Sequence, residues 1–145
     1  MTSYVLDASV AAQWFLPPEQ EPLAAQEQAV LHRFSSGDCR LIVPDLFWPE
    51  MGNILGKAVR GGRLSRGSCD KAVQALESTG IATLPGLPLL KDAMAIAVAF
   101  DRTVYDSVYV ALAVVSNALL VTADERLANA MAARFPIRWL GALPI

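Results

Sequence analysis

Four carboxylates in this sequence stand at the ends of apolar segments or within them. Asp7 follows Tyr4-Val-Leu, Glu50 lies within Pro44–Leu55, Asp106 precedes a helical apolar run, and Asp124 follows Ala118–Val121. An acid tied to a buried element costs free energy unless something binds it. None of the four has a Lys or Arg directly beside it in sequence. Acids crowded together repel, and they must either keep protons or hold a cation. Hard carboxylate oxygens suit magnesium or manganese. His32 is the sole histidine, and Cys39 and Cys69 have no ligand spacing, which argues against zinc. A divalent ion held this way makes water nucleophilic at neutral pH and offsets charge on phosphoryl oxygens, so the set fits phosphodiester hydrolysis.

The elements that must position these acids follow from periodicity and punctuation. Tyr4–Asp7 reads as a first strand, with Ser9 capping a helix through Ala11, Ala12, Trp14 and Phe15 that Pro17-Pro18 stops. An acidic stretch from Glu19 to Glu27 leads into a helix reaching Phe34, and Ser35–Asp38 turns into a second strand at Leu41–Val43. Asp45 is expected to cap the helix carrying Glu50, whose apolar face runs to Gly61-Gly62. Ser65 caps the next helix, which ends at Gly80, and Ile81–Leu84 is a third strand. Pro88 starts a helix to Phe100, with Asp101-Arg102 as a link.

From Thr103 to Leu127 the pattern is helix, break, strand and helix. Val104, Val108, Ala111, Leu112 and Val115 recur at helical spacing. Ser116-Asn117 ends that helix, since Asn tolerates the left-handed conformation. Ala118–Val121 is a fourth strand of the buried parallel type, and Thr122-Ala-Asp-Glu125 reads as a capping box for a helix to about Phe135. A last strand is expected at Ile137–Leu140. Strands alternating with helices along one domain, residues 1–145, give an α/β fold with a parallel sheet and helices on both faces. In such a sheet, sites form outside the carboxyl ends of the strands. Asp7, Glu50 and Asp124 fall at that end, and Asp106 joins them when its helix N-terminus points there.

Hydrophobic residues make up 54% of the chain, which excludes disorder and suggests apolar surface covered by a partner or a second copy. The uncharged run Ser107–Ala123 is broken by Ser-Asn and bracketed by acids, so it does not read as a membrane span. The N-terminal segment lacks the cationic start of a signal peptide, and unpaired cysteines suit a reducing cytoplasm.

The segments VLDASV, PDLFWPEMGNIL, TVYDSVYVALA and LVTADERL, in this order, closely resemble the PIN-domain ribonucleases, most nearly the VapC-type toxins of toxin–antitoxin pairs. The resemblance spans the chain, and the set of four motifs is far more specific than any one of them. It implies about five parallel strands, and metal-dependent endonucleolytic cleavage of RNA at Asp7, Glu50, Asp106 and Asp124 with Mg2+ or Mn2+. It also implies support from Ser9 and Thr122, and a cognate antitoxin wrapped along a hydrophobic groove. Together with the apolar surplus it suggests a homodimer, with Trp14, Phe15, Phe47 and Trp48 as the candidate apolar surface.

Taken singly, each acid has an ordinary structural reading. Asp7 fits a strand-end turn, Glu50 a first-turn acid, Asp106 a capping box with Thr103, and Asp124 a helix cap. Four at one sheet end do not fit that reading together. Lys57, Arg60, Arg63, Arg66 and Lys71 are packed into a short stretch opposed by Asp70 alone. They form either a solvated helical face or a rim for RNA phosphates. Two other functions share the fold class. An aspartyl-phosphate phosphatase or receiver domain needs a second acid two residues beyond its nucleophile, but Asp7 is followed by Ala-Ser, or a placed Lys, which is missing. A non-catalytic binding module would have no need of intact acids.

Overall fold

The computed structural model describes residues 1–17 and 22–144. The expected stop at Pro18 and the onset of the acidic stretch at Glu19 to Glu21 lie outside the described residues. Strands β1 (Thr2–Leu6), β2 (Cys39–Pro44), β3 (Ala82–Leu84), β4 (Leu119–Thr122) and β5 (Ile137–Trp139) form one parallel sheet in the order β3-β2-β1-β4-β5. The order moves from β1 to β3 in one direction, then jumps back to β4 on the other side of β1. Right-handed crossovers made in both directions place helices on both faces. β1 is central, and Val5 and Leu6 are fully buried.

Helices α1 (Ala8–Ala11), α2 (Ala24–Ser35), α3 (Phe47–Arg60), α4 (Arg66–Ser78), α5 (Leu90–Phe100), α6 (Val104–Val115) and α7 (Glu125–Met131) connect the strands. α6 is buried continuously from Ser107 to Ala113 and lies against β1, β2 and β4, which explains its apolar sequence. It ends where Asn117 takes a left-handed φ of 51°, as the sequence suggested. α3 and α4 form a hairpin closed at Gly61-Gly62, with Gly62 at φ +75°. The base of the hairpin is pinned where Trp48 Nε1 donates to Thr83 Oγ1 at 3.0 Å. Ser65 caps α4 as expected, accepting from the Ser68 amide.

Other expectations are corrected. Asp7, not Ser9, caps α1, and the helix stops at Ala11, giving way to a 3-10 turn over Ala12–Trp14. Asp45 does not cap α3, because its Oδ2 is taken by the Gly86 amide at 3.1 Å. The capping box expected at Thr122 gives way to Asp124, which caps α7 through the Leu127 amide, and α7 ends at Met131. Pro88 lies in a 3-10 turn, Leu87–Leu89, ahead of α5. Both cysteines are free thiols, Cys39 buried and Cys69 half-buried.

The apolar surface also differs from expectation. Phe47 is fully buried, and Trp14, Phe15 and Trp48 pack against the core. Exposed apolar side chains instead line α5 and the turn before it, where Leu87, Leu90, Met94 and Val98 recur every three or four residues. Leu87 is 80% and Val98 78% exposed. Among the described residues no helix is long and apolar enough to cross a membrane.

Candidate active site

The strand order reverses between β1 and β4, and a site is expected outside the carboxyl ends of the strands at such a point. Asp7 follows the last residue of β1, and its amide is tied to the Val121 carbonyl of β4 at 3.1 Å. Thr122 ends β4, and Asp124 lies two residues beyond. Glu50 is in the first turn of α3, and Asp106 is in the first turn of α6. The fold therefore brings all four acids to one end of the sheet.

Three of the four carboxylates accept a hydrogen bond from a neighbouring donor. Asp7 Oδ1 accepts the Ser9 amide at 3.3 Å, and its Oδ2 accepts the Thr122 hydroxyl at 2.7 Å. Thr122, fully buried, also accepts the Asp124 amide at 3.0 Å. Ser9 Oγ takes the Ala123 amide at 3.2 Å, so Ser9 and Thr122 together lace the β1 end to the β4 end. Glu50 Oε1 accepts the Tyr109 hydroxyl at 2.6 Å, within the range of a charge-assisted bond. The Asp106 amide donates to Thr103 Oγ1 at 3.1 Å, so Thr103 caps α6. Asp124 Oδ1 caps α7.

These acids also feel one another. Burial above all raises the pKa of Asp7, against the pull of Thr122 and Ser9, and Asp106 raises it further. Burial likewise raises Glu50, and Asp7 and Asp106 add to the effect while the Tyr109 bond opposes it. Asp106 is raised by burial first, lowered by the nearby Arg102 charge, and raised again by Asp124. Burial and the bond to Glu50 both hold the Tyr109 hydroxyl in its neutral form. Among the described residues, no Lys or Arg forms an ion pair with any of the four acids. The side chain of Arg102 comes near without bonding, and its buried Nε has no partner.

The donor set fits a hard divalent cation: carboxylate oxygens only, mutual repulsion, and no Lys or Arg already bonded to them. It is not a closed cage. Among the described residues, no three His, Cys, Asp or Glu side chains stand close enough to surround an ion. An ion here would complete its shell with water and substrate oxygens, as magnesium commonly does.

The basic residues lie elsewhere. Lys57 and Arg60 are on the last turns of α3, Arg63 follows the hairpin turn, and Arg66 opens α4, all of them exposed. Arg60 is ten residues beyond Glu50, roughly 15 Å along the helix axis, so this cluster is the tip of the hairpin and not the rim of the acid site. Arg66 is paired with Asp70 at 3.1 Å. Sequence reasoning overlooked Tyr109. The signal for it was its position one turn after Asp106 on the same face of α6.

The family model described as PIN domain matches residues 4–132. A ribonuclease named VapC3 from Pyrobaculum aerophilum is 35% identical over 130 residues, covering 86% of this chain and 92% of that protein. Among solved structures, a protein of Pyrobaculum aerophilum superposes with a TM-score of 0.72 at 24% identity, covering 97% of this chain and 90% of the other. The VapBC2 complex of Rickettsia felis, solved on a promoter DNA fragment, gives 0.69 at 10% identity, covering 95% and 98%. A toxin–antitoxin complex of Klebsiella pneumoniae gives a TM-score of 0.63 at 11% identity, covering 93% and 95%.

Proposed function

This chain belongs to the PIN-domain family, and on that premise we propose that it is a metal-dependent endoribonuclease acting as the toxin of a toxin–antitoxin pair. The observation that carries this reading is the placement of Asp7, Glu50, Asp106 and Asp124 at the β1/β4 reversal, with none ion-paired among the described residues. A bound Mg2+ or Mn2+ supplies an activated water and offsets the charge building on the phosphoryl oxygens. The four acids would hold that ion, with water and substrate oxygens completing its shell. Thr122 and Ser9 fix Asp7 between the two central strands, so its carboxylate keeps one orientation. Hydrolysis joins the oxygen of water to phosphorus and breaks one P–O ester bond, and the departing sugar oxygen takes up a proton.

Two partners complete the proposal. Trp48, Met51, Leu55, Val73 and Leu76 line a groove of about 380 Å³ between α3 and α4, which suits an apolar segment of an antitoxin. The exposed stripe on α5 suits a second copy of the chain, forming a homodimer.

The deciding experiment offers purified protein a pool of cellular RNA with Mg2+, Mn2+ or EDTA, and maps the ends produced. Cleavage should require the metal and should be lost in folded Asp7→Asn, Glu50→Gln, Asp106→Asn and Asp124→Asn proteins. Undiminished cleavage by a folded Asp7→Asn protein overturns the assignment.

A further inference from the structure

We propose that Tyr109 is a positioning residue of the acid site, holding Glu50 by one carboxylate oxygen and leaving the other for a divalent cation. This rests on the nuclease reading above. Two elements of the site meet at the Tyr109 hydroxyl. Its helix, α6, carries Asp106 one turn earlier. The hydroxyl donates to Glu50 Oε1 of α3 at 2.6 Å.

The direction of this bond matters. A carboxylate oxygen accepts, so the Tyr109 hydroxyl is the donor and its proton points at Glu50. That proton pins Oε1. Among the described residues nothing engages Oε2. Glu50 is otherwise a flexible side chain on a helix, and ordering it carries an entropic cost each time an ion binds. Tyr109 meets that cost in advance, because its ring is locked in the core at 3% exposure.

The test is a titration of Mn2+ alone into wild type, Tyr109→Phe, Glu50→Gln and the double variant, read by calorimetry, with RNA cleavage measured alongside. Tyr109→Phe keeps the ring and removes only the hydroxyl, and a native circular dichroism spectrum confirms its fold. Its Mn2+ affinity should fall by about ten- to a hundred-fold, the usual effect of losing a group that orients a metal ligand. In the Glu50→Gln background the same change should cost nothing further. Equal Mn2+ affinity in wild type and Tyr109→Phe overturns the proposal. So does an equal loss in both backgrounds, which would make Tyr109 a general packing residue. Tyr109-dependent Mn2+ binding without any RNA cleavage would support the positioning role and remove the nuclease reading instead. No Mn2+ binding by wild type overturns both.

Discussion

Thr122 Oγ1 donates to Asp7 Oδ2 across 2.7 Å and joins the carboxyl ends of β1 and β4, which are 115 residues apart in sequence. The same oxygen accepts the Asp124 amide at 3.0 Å, so one buried hydroxyl orders two of the four acids. Thr122→Val keeps the shape and removes that hydroxyl. It leaves a buried carboxylate one donor short and an amide without its acceptor, costing about 1–3 kcal/mol. Thr122 favours the charged form of Asp7, so its loss should raise the Asp7 pKa further. The acidic limb of the cleavage pH profile should then move to higher pH, and Thr122→Ser should restore most of it. Denaturant unfolding and pH–rate curves check both effects.

The raised carboxylates also make a statement about stability without metal. A group whose pKa is raised by folding stabilises the protein below its unfolded value, and that contribution is lost as pH rises through its folded value. Asp7, raised above 3.8 chiefly by burial, and Glu50, raised above 4.5, both follow this rule. In EDTA the wild type should therefore lose stability from acidic toward neutral pH. Asp7→Asn should melt higher than wild type at neutral pH, with the gap closing as the pH falls toward the ordinary carboxylate range. A gap independent of pH would mean that charge is not its cause.

The acids themselves were legible in the sequence because strands and helices announce their ends, and Asp7 and Asp124 sit at such ends. Their common end of the sheet followed from the strand–helix alternation alone. The strand order did not, because alternation fixes parallel pairing but leaves open where β4 inserts relative to β1. The α1 cap was misplaced because Asp7 and Ser9 are both good cap formers two residues apart, and only the start of the helix separates them. Tyr109 was hidden for another reason: an aromatic in an apolar helix reads as core, and its acceptor Glu50 lies 59 residues away in sequence.

The basic tip of the α3–α4 hairpin is remote from the acids, so it can contribute affinity but not chemistry. Arg66 is committed to Asp70, which leaves Lys57 and Arg60 as the pair to remove. Lys57→Ala with Arg60→Ala should weaken binding of any RNA. The slope of log affinity against log salt should become shallower by about 0.7 for each phosphate that the variant no longer neutralises. Mn2+ affinity should be unchanged. An unaltered salt slope assigns these residues to a solvated helical face.

The stripe on α5 bears on assembly. Val98 at 78% exposure and Met94 at 46% lie one turn apart on its outer side. Introducing charge there, as Val98→Glu with Met94→Glu, should convert a dimer to a monomer in sedimentation while leaving the melting of the protomer nearly unchanged. A wild type that sediments as a monomer at micromolar concentration removes the dimer proposal.

The last expectation separates the two roles of Asp124, as helix cap and as ion ligand. Asp124 Oδ1 accepts the Leu127 amide at 3.1 Å and caps α7. Asn caps helices about as well as Asp, so Asp124→Asn keeps the cap and deletes the charge. Magnesium binds the folded acid set alone, and at ten times its dissociation constant it should stabilise wild type by about 1.4 kcal/mol. For a chain of this size that is roughly 3–6 °C in melting temperature. Asp124→Asn should melt no lower than wild type in EDTA, because the cap survives, and should show much less of the magnesium shift. Thermal unfolding with EDTA and across a magnesium titration gives both numbers for both proteins. An equal magnesium shift in the two would leave Asp124 as a helix cap only, and the metal would then be held by Asp7, Glu50 and Asp106 at the other elements of the site.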